Sequence, residues 1–316
     1  MMVQQSRRSF LLGLTTIPIT THGFGDSLKP PITSLVYSSD SKRIIAGSQA
    51  GITIRNSETG QVVQSIDVTM DNVHDVAVSP NGKTLIVAGG NPGETGVVEF
   101  RAWPTLERQQ RIMLHGDVIY GVDFSADGSH WVVASGDEVC SVYRTGSDKP
   151  ASRFTQHSHG VLSSVFLPDG KTIVSCSRDE TIRVWNASSG ENIRTLHNHS
   201  QDVFDLAVSK TISDLPMVAS VSEDLTVRFW QPTIGRMVRF ARLSSAPLCI
   251  AWCSQDKLIV GCSDGSARLI NTQSVQVERI FPVSSGWIHS IAVDPSDDRR
   301  ISLGTVNGEI KTLILE

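Results

Sequence analysis

Three apolar positions at 0, +3 and +5, followed by a polar turn, recur seven times along the 316 residues. They fall at Ile32/Leu35/Tyr37, Val73/Val76/Val78, Ile119/Val122/Phe124 and Val161/Ser164/Phe166, then at Val203/Leu206/Val208, Pro247/Ile250/Trp252 and Ile288/Ile291/Val293, and only Ser164 departs from the pattern. The residues at +6 (Ser38, Ser79, Ser125, Leu167, Ser209, Cys253 and Asp294) lie at spacings of 41, 46, 42, 42, 44 and 41. A period held this closely marks a repeat architecture. Each unit continues through a turn such as Pro80-Asn81-Gly82-Lys83 or Pro168-Asp169-Gly170, where Gly supplies the positive φ of a tight turn. A β-rich run follows, as in Thr84–Ala88, Trp131–Ala134 or Thr172–Cys176, then a second tight turn and an alternating strand such as Thr181–Trp185. A weaker fourth strand, as in Asn192–Leu196, closes the unit, and no long segment has helical period. Seven four-stranded units of this length predict an all-β fold, a seven-bladed β-propeller of antiparallel blades. Two longer spacings mark insertions, a Gly-rich stretch at Gly89–Gly96 and another at Lys210–Pro216. The first has no Lys and no helix after it, so it is a long turn rather than a phosphate cradle.

Units four and five each carry a polar set at matching spacing: His157, Ser175, Asp179 and Trp185, then His199, Ser220, Asp224 and Trp230. With the stretches Ser177–Asn186 and Ser222–Trp230, these residues closely resemble the structural tetrads of WD-repeat propellers. The resemblance covers about residues 30–316. It implies a buried chain in which Asp accepts from His, His meets Ser, and Ser meets the indole N–H, so that each polar group is satisfied inside its blade. Unit three keeps His115 and Asp137 but has Tyr143 at the Trp position; unit six keeps Asp264 with Ile270 for Trp; unit seven has Asn307 and Leu313. Units one and two lack the tetrad and are expected to rely on apolar packing.

Residues 1–29 form a separate segment. Ser6-Arg7-Arg8-Ser9-Phe10-Leu11 precedes a short apolar stretch ending near Ile19, with no acid before Asp26. It resembles the bacterial twin-arginine export signal in six of seven positions, with Leu12 where Lys is usual. That reading implies an exported, periplasmic protein; the alternative is a cytoplasmic one with a surface tail. The same stretch, around Thr15–Thr21, is the candidate for the strand that would close blade seven, because the chain ends at Glu309–Glu316 on what reads as that blade's third strand.

Composition narrows the function. The formal net charge of −4 argues against nucleic acid as a partner, and no apolar run reaches the length of a membrane span. Five Cys without a CxxC pair argue against a disulfide framework or a zinc ribbon. His157-x-His159 and His197-x-His199 could in principle hold zinc, but the tetrads already use His157 and His199, so no metal is expected. Cys249, Cys253 and Cys262 are expected to be small buried side chains. Ser39-x-x-Lys42 lies in an exposed turn, and no nucleophile elbow, HExxH, Walker or dinucleotide pattern occurs. No catalytic residue and no cofactor are therefore assigned.

The residue at +1, just inside each first strand, is expected near the narrow top face. The seven are Thr33, His74, Tyr120, Leu162, Phe204, Leu248 and His289, with Trp287 just before the last unit. His74, Tyr120, Phe204, Trp287 and His289 are the candidate partner-binding residues, because aromatic groups bury much area at little entropic cost. The expectation is a monomeric, non-catalytic scaffold holding a protein or peptide partner on that face; the alternative is a hydrolase or small-ligand propeller acting in the central channel. For the export reading, changing Arg7-Arg8 to Lys-Lys should hold the protein in the cytoplasm, and fractionation showing equal periplasmic protein in both versions would remove it.

Overall fold

A computed structural model describes residues 29–210 and 213–316. The export reading and the candidate closing strand at Thr15–Thr21 lie outside the described residues, as does part of the Lys210–Pro216 insertion. Blades one to six are four-stranded antiparallel sheets, and blade seven has three strands among the described residues. The inner strands run Ile32–Tyr37, Val73–Val78, Ile119–Phe124, Val161–Phe166, Val203–Val208, Pro247–Trp252 and Ile288–Val293. Each contacts the next, and the last contacts the first, so the ring closes.

Closure is held by the described residues themselves. Ser290 Oγ donates to Ile32 O at 3.2 Å, and Tyr37 Oη meets Ser302 Oγ at 2.7 Å between blades one and seven. Ile32, Leu35, Tyr37, Ile44 and Ala46 of blade one form a common core with Ala292 of blade seven.

The uninterrupted apolar runs of the sequence are the second strands. In a strand, successive side chains point to opposite faces. In blade two, Leu85 and Val87 enter the core shared with blade one, whereas Ile86 and Ala88 enter the core shared with blade three. In blade three, Trp131 and Val133 face blade two, and Val132 and Ala134 face blade four. Seven such cores result, one at each junction of neighbouring blades. At about 1.5–3 kcal/mol for each fully buried aliphatic side chain, these junctions carry most of the stability.

The inner strands share an irregularity that the apolar pattern does not disclose. In blade one, Ile32 pairs with Ser48 and Ser34 with Gly47, leaving Thr33 unpaired as the extra residue of a β-bulge. The same register shift leaves out His74, Tyr120, Leu162, Phe204, Leu248 and His289. All seven +1 residues are therefore bulge residues, and a bulge re-aims the side chain it frees.

Blades four and five contain the hydrogen-bond chains. His157 Nδ1 lies 2.8 Å from Asp179 Oδ2 and its Nε2 2.8 Å from Ser175 Oγ, and Trp185 Nε1 donates to Ser175 Oγ at 3.2 Å. In blade five the corresponding distances are 2.7, 2.8 and 2.9 Å for His199, Ser220, Asp224 and Trp230. Burial raises the carboxyl pKa of Asp179 and of Asp224, but the His hydrogen bonds outweigh it and hold both well below the usual range. Blade three keeps the His115–Asp137 contact at 2.9 Å. Val133 stands where the other two blades have Ser, and His115 Nε2 and Trp131 Nε1 are buried without partners among the described residues. Trp131 stacks on Tyr143 instead, with ring centroids 4.3 Å apart.

Blade two corrects the expectation of apolar packing alone. Glu99 is fully buried and accepts from Arg101 Nη2 at 2.6 Å and Arg101 Nε at 3.1 Å. Its other oxygen accepts from the Thr69 main-chain N–H at 2.9 Å and from the Thr69 hydroxyl. Arg101 also donates to Leu106 O and Asp67 O, which ties blade two's own outer turn and the connection from blade one to the sheet. A buried ion pair of this kind compensates its desolvation because nearly every lone pair and N–H is used. Arg101→Met should cost about 3–5 kcal/mol in denaturant unfolding, because it leaves Glu99 buried and unpaired, and adding Glu99→Met should recover most of that loss. A single variant as stable as the parent would show that the pair does not hold blade two together.

Candidate functional site

One face of the ring is built from two kinds of loop. The turn between second and third strands donates a main-chain N–H to the loop that enters the inner strand: Gly90 to Asn72 O, Gly136 to Val118 O, Arg178 to Gly160 O, Glu223 to Asp202 O, Ser263 to Ala246 O and Val306 to Trp287 O. The bulge residues sit at the inner margin of this face. Thr33 Oγ1 donates to Val73 O of the next blade at 2.5 Å, which shows how a bulge side chain reaches its neighbour.

The candidate residues separate into three places. His74 and Tyr120, from blades two and three, meet edge to face at 5.1 Å. Tyr120 reaches on to blade four, where Arg178 Nη2 donates to its hydroxyl at 3.3 Å and the guanidinium lies 5.4 Å from its ring centroid. Trp287 and His289 of blade seven form a second edge-to-face pair at 5.7 Å. Phe204 joins neither group; it packs against the core between blades five and six, because its strand there abuts apolar Val221, Ile250 and their neighbours. All five are half-buried. Burial, and for His74 the charge of Arg178, pushes His74 down to about 4, and burial also lowers His289, so both are neutral imidazoles near pH 7.

The Gly89–Gly96 insertion stands beside the first group. Its flanking strands run on to Asn91 and restart at Thr95, so the stretch is an extended hairpin rather than a plain turn. Gly90 adopts φ 134°, a conformation open to Gly. Gly93 N–H donates to Asp117 Oδ1 at 2.6 Å, fastening the hairpin to the loop before blade three. Arg178, Asp117 and this hairpin were not marked as site residues by sequence reasoning. Arg178 directly precedes Asp179 in a signature turn, which is the signal that could have singled it out.

Below this face the inner strands carry three carboxylates. Asp75 accepts from Ser34 Oγ at 2.8 Å and from Val122 N of the next blade at 2.9 Å. Asp123 accepts from Phe166 N at 2.8 Å, and Asp205 from Ile250 N at 3.1 Å, again one blade on. Burial outweighs these hydrogen bonds and pushes Asp75 up to about 6 and Asp123 and Asp205 to about 7. Among the described residues, no group of three or more His, Cys, Asp or Glu is placed to hold a metal ion. All five Cys are buried free thiols, with Cys253 and Cys262 pushed by burial to about 12. No helix among the described residues is long and apolar enough to cross a membrane.

Seven blades, two of them holding buried His–Ser–Trp chains, define a WD-repeat β-propeller. A family model described as "Nucleolar protein 10-like, N-terminal domain" matches residues 31–243, and the chain belongs to that family. A second, described as "WD domain, G-beta repeat", matches residues 241–271. The chain is 27% identical over 162 residues to WD repeat-containing protein 91 homolog of Dictyostelium discoideum, covering 50% of this chain and 21% of the relative. It is 26% identical over 166 residues to Actin-interacting protein 1 of Drosophila melanogaster, covering 51% and 27%. Against the guanine nucleotide-binding protein subunit beta of Saccharomyces cerevisiae it is 24% identical over 181 residues, covering 54% and 42%. The matched stretch is thus less than half the length of each of these relatives.

The raised carboxylates set a pH dependence. A carboxyl whose pKa is higher folded than unfolded stabilises the fold while protonated, and that contribution is lost as pH rises through the folded value. The lowered His74, His199 and His289 act oppositely as pH rises toward about 6.5, and the lowered Asp179 and Asp224 matter only in stronger acid, below about 4. Between about pH 4 and 7 the buried carboxylates should therefore make stability fall, and above about 7 their effect levels off. Asp123→Asn with Asp205→Asn should flatten that slope in thermal melts; an unchanged slope would show that these groups ionise normally.

Proposed function

We propose that this propeller is a non-catalytic scaffold that holds a protein or peptide partner on the face carrying the bulge residues. The observation that supports this most directly is the bulge itself. In all seven blades the +1 residue is released from the ladder, and in blades two, three and seven it is a His or Tyr that joins an aromatic pair half open to solvent. Half-buried aromatic anchors at the centre of a surface are the groups that dominate protein interfaces. The names of two relatives, a guanine nucleotide-binding protein subunit and an actin-interacting protein, describe proteins that assemble with other proteins, which agrees with the reading.

The experiment separates binding from folding. Tyr120→Ala with Trp287→Ala removes an anchor from each aromatic group, and Phe204→Ala serves as the contrasting core change. Partner recovery by affinity capture from the native cell and melting temperature are measured on the same samples. The double variant should lose recovery by about 30-fold or more, the effect of about 2 kcal/mol at a hot spot, with a small drop in melting temperature. Phe204→Ala should lower melting, with binding loss following only from unfolding. Full recovery by the double variant would place the partner elsewhere on the ring.

A further inference from the structure

We infer that the Tyr120–Arg178 corner of this face, between blades three and four, reads an acidic side chain of the bound peptide. The inference rests on the face being a peptide-binding surface and names the chemistry of one contact on it. Arg178 is held in place through its backbone, since its N–H donates to Gly160 O. Its guanidinium has no acidic side chain within ion-pair distance among the described residues, unlike Arg101, Arg228 and Arg268, which pair with Glu99, Asp224 and Asp264. Among the described residues its Nε is buried without a hydrogen-bond partner, and Nη2 spends one N–H on Tyr120 Oη. Tyr120 accepts that bond, so its own O–H remains to be donated. Beside it, His74 Nε2 is also buried and has no partner among the described residues.

The corner therefore gathers donors in excess of acceptors, with one full positive charge, at the margin of a half-open face. Arg presents its N–H groups as a planar fork that matches a carboxylate or a phosphorylated side chain, and contact with the Tyr ring holds the fork in position. Among the described residues, Asp117 is an acid whose charge acts on both His74 and Tyr120. Its Oδ1 is engaged by Gly93 N–H and Val118 N–H, and it forms no ion pair with Arg178. Asp117 thus anchors the extended hairpin and leaves the guanidinium for a group from outside. A neutral or basic side chain would leave these donors unanswered, at a cost comparable to burying an unpaired polar group.

The test begins with a random peptide library displayed on phage and selected on the full chain. Selected peptides are synthesised, and binding is read by fluorescence anisotropy against the parent, Arg178→Met, Tyr120→Phe and Trp287→Ala. The expected peptides share an Asp or Glu whose change to Asn or Gln weakens binding by at least about tenfold in the parent and has little effect in Arg178→Met. Replacing that acid with phosphoserine distinguishes the two sources of negative charge: tighter binding identifies a phosphorylated side chain, and weaker binding a carboxylate. Tyr120→Phe should weaken only the acidic peptides. Melting temperatures of the variants establish that each is folded. Peptides lost on Trp287→Ala but indifferent to their acids would overturn this inference and leave the binding face standing. Failure to select any peptide that depends on the face would overturn both.

Discussion

The structure depends on the fact that no blade can bury its own apolar residues. Each second strand points alternate side chains into two different cores, as Leu85 and Ile86 do on either side of blade two. A lone blade would leave both faces of that strand in water. Every blade is therefore stable only between two others, and the first and last must meet. Ile32 and Tyr37 against Ser290 and Ser302 are where that requirement is met in the described chain.

Once burial on both faces is imposed, the outer half of each blade must still satisfy its polar atoms, and the blades do so in different ways. Blades four and five use a relay of His, Ser, Asp and Trp. Blade two uses a Glu–Arg pair that reaches the loop at Asp67–Thr69. Blade three keeps half of the relay and leaves two ring nitrogens without partners among the described residues, with the stacked Trp131–Tyr143 pair in their place. What the blades have in common is the demand for satisfaction; the residue types that meet it vary.

This explains which parts of the molecule were legible in the chain. The period, the blade count and the polar relays were readable because burial on both faces forces short apolar runs at a fixed spacing, and because His157 and Trp185 are rare residue types at repeated offsets. Glu99 and Arg101 were not readable. They alternate on one strand as exposed charges commonly do, and only the loop folded over them makes them interior. The aspartates at 75, 123 and 205 fall at polar positions of inner strands, where the sequence has no means of showing that the adjacent blade covers them. Phe204 matched its counterparts in register, yet its neighbours across the junction draw it inward. Arg178 was visible only as part of a turn whose pattern was already accounted for by Asp179.

The bulge has a consequence for how such a ring can change over time. A residue outside the ladder contributes no cross-strand pairing, so its replacement leaves the register of both neighbouring strands intact. The same seven places therefore form a set of interchangeable letters on a constant page. At these positions Thr33, Leu162 and Leu248 alternate with His74, Tyr120, Phe204 and His289 without disturbing the shift that recurs in every blade. Substitution at these places changes the face the ring presents while the register is kept, except at Phe204, where a change also reaches the core between blades five and six.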